Sequence, residues 1–139
     1  MAAFVKFYSF TEALAEKKHN LGADTLKVML TNTLPSQSNT VKADITEISA
    51  GNGYTAGGAT ITTTSSAQTT GTYKLVLADV TFTASGGAFA SARYAVVYND
   101  TAANDELIAY FDYGSSFALP SGENLLVDFN DSSGFLTLA

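Results

Sequence analysis

The sequence contains no cysteine and a single histidine, His19. The absence of cysteine excludes disulfide bonds and thiolate metal sites, and it suits folding in a reducing cytoplasm. Any Ser–His–Asp triad would have to use His19. Because the usual residues of nucleophilic and metal catalysis are missing, we expect no enzyme activity and no cofactor.

Basic residues are also scarce, with 7 Lys and Arg against 13 Asp and Glu and a formal net charge of −6. Binding to nucleic acid depends on neutralising phosphates with basic side chains, so no nucleic-acid partner is expected. An anionic membrane would repel the chain for the same reason. Only 14% of the residues are charged, which is compatible with a surface that docks onto another protein.

No apolar run is long enough to span a bilayer, and "MAAFVKFYSF" lacks an apolar segment of signal-peptide length. We therefore expect no membrane association and no secretion signal. A chain of 139 residues that is 46% hydrophobic predicts one domain. A domain of this size buries roughly two thirds of the surface of its unfolded chain, which is enough for a core without cross-links.

One helix is predicted, in "SFTEALAEKKHNLG". Ser9 and Glu12 have the spacing of a reciprocal capping box, and such a cap contributes about 1 kcal/mol. The basic run from Lys17 to His19 would lie in the last turn, where the helix dipole favours cations, and Gly22 would end the helix. Residues 1–22 are thus interpreted as an N-terminal arm and helix.

Residues 23–139 read as strands. "DTLKVMLT" alternates as a half-buried strand does, and "GTYKLVLADVTFTA" changes register at Ala78–Asp79, by a bulge or by a tight corner between two strands. "ARYAVVYND" and "ELIAYFDYG" would be joined by a polar loop, "NLLVDFNDSSGFLTLA" would form a hairpin, and the Thr-rich "ATITTTSSAQTTGT" would be an exposed strand or hairpin arm. The predicted fold is mainly β, a single antiparallel β-sandwich or jelly-roll domain with one short N-terminal α-helix.

The glycine-rich stretch "SAGNGYTAGGATITTT" does not match a nucleotide-binding turn. Such a turn needs the GxGxxG spacing and a following helix, whereas here a β-branched run follows Gly58. A phosphate-binding P-loop would need a Lys and a helix, and neither is present. A tightly turning loop between strands is favoured.

Acidic residues offer two further candidates for chemistry. Four of them surround one predicted loop and strand, and three Asp and Asn side chains lie near the C-terminus: Asp100, Asp105, Glu106, Asp112, and Asp128, Asn130, Asp131. Neither spacing matches a calcium loop, and Asp and Asn are ordinary turn residues, so no metal is expected. Asp112 and Asp128 could act as a glycosidase pair, but in an alternating strand such carboxylates are more simply the outward partners of inward aromatic rings.

Five tyrosines lie on predicted strands: Tyr73, Tyr94, Tyr98, Tyr110 and Tyr113. Tyrosine is favoured both in half-buried sheets and at interfaces. The sequence is therefore compatible with a sugar-stacking platform, a subunit contact or core packing.

Three stretches carry a resemblance to a known family: "EALAEKKHNLGADTLKVMLTNT" (Glu12–Thr33), "KADITEISAGNGYTAGG" (Lys42–Gly58) and "RYAVVYNDT" (Arg93–Thr101), with "DYGSS" and "SGENLLVDF" after them. They resemble the small structural proteins encoded in the head-gene clusters of tailed phages and prophages, usually beside the major capsid protein. The resemblance covers nearly the whole chain and brings no catalytic motif. It implies a capsid decoration, or cement, protein: a small β-sandwich or jelly roll on the outside of the shell, made in the cytoplasm of the bacterial host.

The implied partners are the major capsid protein and the protein itself, as a homodimer or homotrimer. Two segments are predicted to make these contacts. They are the N-terminal segment and the glycine-rich loop, with Phe4, Val5, Phe7 and Tyr8 in the first and Asn52 and Tyr54 in the second. The alternative interpretation of the N-terminal segment is a strand or a staple that closes over the helix. The alternative functions are a virion-borne glycan-binding module, a tail component and a glycosidase.

Overall fold

The computed structural model describes residues 3–139 as a mainly β protein with one α-helix, which confirms the predicted fold class. The elements are β1 Ala3–Lys6, α1 Ser9–Ala15, β2 Leu26–Thr31, a short 3-10 helix Lys42–Asp44, β3 Ala59–Ile61, β4 Thr63–Thr69, β5 Thr72–Leu77, β6 Val80–Thr83, β7 Ala92–Asn99, β8 Leu107–Phe117, β9 Asn124–Val127 and β10 Leu136–Leu138.

The strands form three antiparallel sheets. The largest has five strands in the order β1-β8-β7-β2-β3, the second has three in the order β10-β5-β4, and β6 pairs with β9 alone. The five-stranded sheet packs against the two smaller sheets in a sandwich-like arrangement. Because β1 and β10 each lie at a sheet edge, both ends of the described chain lie along edges of the sandwich.

The central strands β2 and β7 of the five-stranded sheet are buried on both faces. Leu26, Val28 and Leu30 of β2 belong to the core between the sheets, whereas Met29 belongs to a second cluster on the opposite face. That second cluster also contains Phe7, and Ile45 of segment 32–48 packs against it. The prediction of a half-buried β2 was therefore wrong, because returning chain segments cover its outer face.

The helix differs from the prediction at both ends. Tyr8 holds the N-cap position with helical backbone angles and makes no side-chain cap bond, so Ser9 lies inside the first turn and its buried Oγ has no partner. The capping box was therefore wrong, because the chain enters the helix directly from β1. The helix ends at Ala15, and Lys17 has a φ of 67°, so Lys17 to His19 lie beyond the last turn and Gly22 does not end it.

Two hairpins were predicted correctly, and the register change was resolved as a corner. β7 and β8 are joined by residues 100–106, and β4, which is exposed along nearly its whole length, pairs with β5. Between β5 and β6 the chain turns at Ala78–Asp79 and passes to another sheet, so the second of the two alternatives is the correct one.

The predicted C-terminal hairpin was wrong. β9 pairs with β6 and β10 pairs with β5, so the turn at 130–134 carries the chain from one sheet to another. Gly134 N donates to Asn130 O across this turn, and a Cβ at Gly134 would lie 2.9 Å from Leu75 O. The turn residues were recognised, but the partner strand is set by where the apolar side chains of β10 can pack.

Candidate functional site

The N-terminal segment is a strand, β1, paired antiparallel with β8 at the edge of the five-stranded sheet. Its side chains alternate across the sheet. Phe7, just after β1, is fully buried against Tyr110, and Val5 is half-buried in the same cluster. The prediction that Phe7 makes direct contacts was therefore wrong, because none of its surface is exposed.

Two residues of this segment do present apolar surface. Phe4 is 43% exposed, although its ring packs edge-on against Phe111 and Phe135 with centroids 5.7 and 5.5 Å away. Tyr8 is 64% exposed, and its hydroxyl lies 3.4 Å from Gln37 Oε1. Their roles as contacts stay predictions, and the structure gives both the exposure that such a role needs.

Phe4 lies in a groove between the edges of two sheets. The groove has a volume of about 310 Å³ and is lined on one side by Phe4 and Lys6 of β1 and on the other by residues 133–138 of β10 and the turn before it. Leu138, which is 40% exposed, is a second exposed apolar side chain in the lining of this groove.

A second, more open depression adjoins the groove and shares Leu138 with it. Its volume is about 550 Å³. Leu14 of α1 and Tyr73 of β5 add to its apolar lining, and residues 17 and 19–22 also line it. We call Phe4, Leu14, Tyr73 and Leu138 the terminal surface, because it joins the first and last strands of the described chain.

The glycine-rich loop is shaped by backbone sterics. Gly51, Gly53, Gly57 and Gly58 all have positive φ, which L-residues with a Cβ rarely adopt. A Cβ at Gly53 would lie 2.3 Å from Thr83 O, and one at Gly58 would lie 1.9 Å from Val28 O. The loop therefore needs glycine so that its backbone can pass directly over neighbouring strands.

Tyr54, predicted as a contact side chain of this loop, is instead part of the core. It is 3% exposed, its hydroxyl donates to Glu47 Oε1 at 2.6 Å and accepts from Leu30 N at 3.0 Å, and its ring packs on Phe82 and Phe89. Burial, helped by the hydrogen bond to Glu47, raises the pKa of Tyr54 well above its ordinary range. The prediction was wrong because the glycines let the loop pack closely against the strands, which places Tyr54 in the core between the sheets.

Asn52 is exposed, as a contact residue must be, but its amide also has a structural partner. Asn52 Nδ2 donates to Ala88 O at 2.8 Å, and the side chain packs tightly over Gly87. Asn52 therefore ties the glycine-rich loop to the segment that precedes β7. Its predicted role as a contact stays a prediction.

The structure brings the two candidate glycosidase carboxylates, Asp112 and Asp128, into one cleft of about 590 Å³. Asp112 accepts two hydrogen bonds from the Arg93 guanidinium, at 2.9 and 3.1 Å, and one from Gly114 N at 2.7 Å. The Arg93 bonds, with that of Gly114, lower the pKa of Asp112. A general acid needs a raised pKa, so this arrangement does not favour acid catalysis by Asp112. Asp128 accepts from Asn130 N, as a turn residue does.

His19 is buried instead of lying on an exposed helix turn. It is 5% exposed, its ring lies 5.3 Å from the ring of Phe10, and its Nδ1 lies 3.0 Å from Asn99 Nδ2. Burial is the largest influence and the pKa of His19 is lowered, although the carboxylates of Glu106 and Asp24 act in the opposite direction. The interpretation of His19 as a charge that compensates the helix dipole was therefore wrong.

Three of the five strand tyrosines, Tyr94, Tyr98 and Tyr110, are buried in the second cluster. Tyr98 is fully buried and its hydroxyl donates to Gly57 O at 2.6 Å, and burial raises its pKa. Tyr73 and Tyr113 are half-buried, and burial raises the pKa of Tyr113 to about 12. For the three buried tyrosines core packing is the correct alternative, so they cannot form a sugar-stacking platform.

Within residues 3–139, no group of three or more His, Asp and Glu side chains is arranged to hold a metal ion. In the same part of the chain, no helix combines the length and the apolarity needed to cross a membrane. No protein-family model, curated protein or solved structure matches this chain. The terminal surface and the cleft of Asp112 and Asp128 are two concave surfaces that offer side chains suited to binding a partner.

Proposed function

We propose that the protein is a structural virion protein that docks on the outside of a bacteriophage capsid and stabilises contacts between major capsid subunits. The phage family is inferred from the sequence resemblance alone. The observation that supports the docking step is the terminal surface, where Phe4 and Leu138 are each about two-fifths exposed in the lining of one groove. Large apolar side chains grouped around a concave site are typical of protein-binding surfaces.

The sheet edges beside the groove favour a protein partner. β1 and β10 are edge strands, and an edge strand offers backbone N–H and C=O groups to an incoming extended segment. In this proposal the segment pairs with one edge and inserts an apolar side chain into the groove that Phe4 and Leu138 line. Backbone hydrogen bonds would then supply affinity, and the groove would supply selectivity for the inserted side chain.

The size of the terminal surface sets how many contacts a stable complex needs. A standard interface buries about 800 Å² per partner, more than a single groove provides. A homodimer or homotrimer placed at a symmetry axis of the shell would use the same surface two or three times, and the joined contacts would gain avidity. The net charge of −6 would favour the exterior over the packaged DNA.

Replacing Leu138 with aspartate is expected to weaken capsid binding by roughly 10- to 100-fold, because a charge would be desolvated in an apolar groove. The matched control is Leu126→Asp, since Leu126 is 52% exposed but lines the cleft of Asp112 and Asp128 instead. Binding would be measured by co-sedimentation with capsids that lack the protein, followed by counting the bound copies.

Saturable binding of the unmodified protein at hundreds of copies per particle, with better heat resistance of the shell, would support the cement role. Equal binding by both Leu→Asp variants would show that the terminal surface is not the docking site. A handful of copies, or none, would contradict the proposal and favour a tail component.

A virion-borne glycan-binding module is the second candidate, and one observation favours it. The cleft of Asp112 and Asp128 is also lined by Tyr113, so carboxylates and an aromatic side chain meet in one concave site. Binding of the isolated protein to a glycan panel, lost in Asp128→Ala, would support this function over docking on a shell.

A further inference from the structure

A polar network that no proposed contact uses lies at one end of the five-stranded sheet. Asn99, the last residue of β7, is fully buried, and its Nδ2 lies 3.0 Å from His19 Nδ1 and donates to Asp24 Oδ2 at 2.6 Å. Its Oδ1 accepts from the backbone N–H groups of Thr101 and Ala102, at 3.0 and 3.2 Å. We call His19, Asp24 and Asn99 the His19 network.

The network joins two segments that lie outside the strands and that also have other contacts, such as the hydrogen bond from Asp100 N to Thr25 O at 2.9 Å and the burial of Leu21 in the core. Segment 17–24 follows α1 and contains no regular secondary structure beyond turns, and residues 100–106 form the loop between β7 and β8. Asp24 also accepts from Asn20 N at 2.8 Å, and Asn99 N donates to Glu106 O at 2.9 Å. Asn99 therefore bonds to both segments and links them to each other at the end of β7.

The hydrogen bonds fix the protonation state of His19. Because Asn99 Oδ1 is committed to two backbone donors, the side-chain amide has to present Nδ2, a donor, to the imidazole. His19 Nδ1 must then be an unprotonated acceptor, and the proton of the neutral ring lies on Nε2, which is buried without a partner. The folded arrangement thus accommodates neutral imidazole and has no acceptor for a second N–H.

Protonation of the ring would place an N–H on Nδ1 directly against the amide donor of Asn99. The charged groups that face the ring act in both directions, since the carboxylates of Asp24 and Glu106 favour imidazolium and Lys18 opposes it. Burial of the ring opposes imidazolium most strongly, and the pKa of His19 is lowered by these influences together. The network is consequently stable only while His19 is neutral.

We propose that the His19 network is an acid-sensitive switch, in which protonation of His19 breaks its hydrogen bond with Asn99 and so loosens the attachment of segments 17–24 and 100–106 to each other and to the end of β7. His19 and residues 20–22 also line the depression that contains Leu14, Tyr73 and Leu138. Opening of the switch therefore changes the shape of the terminal surface. Only this last consequence rests on the proposed docking function.

The direction of the pH effect follows from linkage between protonation and opening. A released His19 has an ordinary pKa of about 6.5, whereas the pKa of the closed form is lower. The closed form is fully favoured above pH 6.5. Below pH 6.5 the equilibrium constant for opening rises about tenfold for each pH unit, until the pH reaches the pKa of the closed form.

The test uses the full chain and its single histidine, whose Cε1–H signal in NMR spectra needs no assignment. We expect the signal to titrate with a midpoint below 6.5. Hydrogen exchange measured by mass spectrometry between pH 5 and 7.5, corrected for intrinsic exchange rates, should show loss of protection in segments 17–24 and 100–106 over the same range. The strands β7 and β8 should keep their protection and serve as the internal control.

His19→Gln is the matched variant, because a glutamine amide oxygen can accept from Asn99 Nδ2 but cannot titrate. Its two segments should keep the same protection at all pH values. A titration midpoint at or above 6.5 in the unmodified chain, or unchanged protection of both segments down to pH 5, would overturn the switch even if the variant did not fold. If the switch operates but capsids are not bound at any pH, only the docking function fails.

Discussion

Replacing Gly58 with alanine is expected to abolish stable folding, with a loss of more than roughly 4 kcal/mol in the free energy of unfolding. Gly58 has a φ of +77°, and a Cβ there would lie 1.9 Å from Val28 O and 2.7 Å from Met29 Cα. These are backbone atoms of β2, which is paired on both sides, with β3 and with β7. The strand cannot move away without breaking those ladders, so the clash cannot be relieved by a side-chain rotation.

Gly71→Ala is the matched control for this prediction. Gly71 has a similar φ of +86°, in the turn between β4 and β5, but a Cβ there would meet no atom within 4 Å. Only the backbone strain should remain, at about 1–2 kcal/mol. Urea unfolding of both variants measures the difference. Equal losses would show that strain at positive φ, and not the close approach of the loop to β2, explains the need for glycine.

The second large effect is expected at Tyr54, where alanine should remove about 3–5 kcal/mol from the free energy of unfolding. The substitution deletes a ring packed on Phe82 and Phe89 and leaves a cavity in the core. Tyr54→Phe keeps the ring but removes the partner of Glu47 and Leu30 N, and should cost about 1–3 kcal/mol.

Tyr8→Phe is the control for the loss of a hydroxyl group, because Tyr8 is 64% exposed. It should change stability by less than about 0.5 kcal/mol. The measurement is again urea unfolding, with near-UV circular dichroism to follow the packing of the aromatic rings. If Tyr54→Ala were as mild as Tyr8→Phe, the side chain would not be a core residue and its assignment as a contact would have to be reconsidered.

Local patterns in the sequence were sufficient for the strands and for part of the topology. The alternation in "DTLKVMLT" predicted β2, and the aromatic runs on either side of the polar loop 100–106 predicted the β7–β8 hairpin. These elements depend on neighbours close in sequence, through side-chain alternation and turn chemistry. The apolar N-terminal segment was predicted to make contacts, and two of its residues, Phe4 and Tyr8, have the exposure that the docking proposal needs.

Pairing between distant strands and the choice of buried face were decided by tertiary structure. "NLLVDFNDSSGFLTLA" has the local pattern of a hairpin, yet its two strands join different sheets. The sequence also could not show that Leu138 would line the same groove as Phe4, because 133 residues lie between them in the chain and only the packing of the two sheet edges brings them together.

The same division explains Tyr54 and His19. Composition and alternation determined by themselves that this chain forms strands with a single early helix, because those properties depend on each residue and its immediate neighbours. Only the tertiary structure decided that Tyr54 would be a core residue bonded to Glu47 and that His19 would meet Asn99, 80 positions away. Burial of a residue depends on which other segments of the chain pack against it. Tyr54 is buried because the glycine-rich loop packs closely against neighbouring strands.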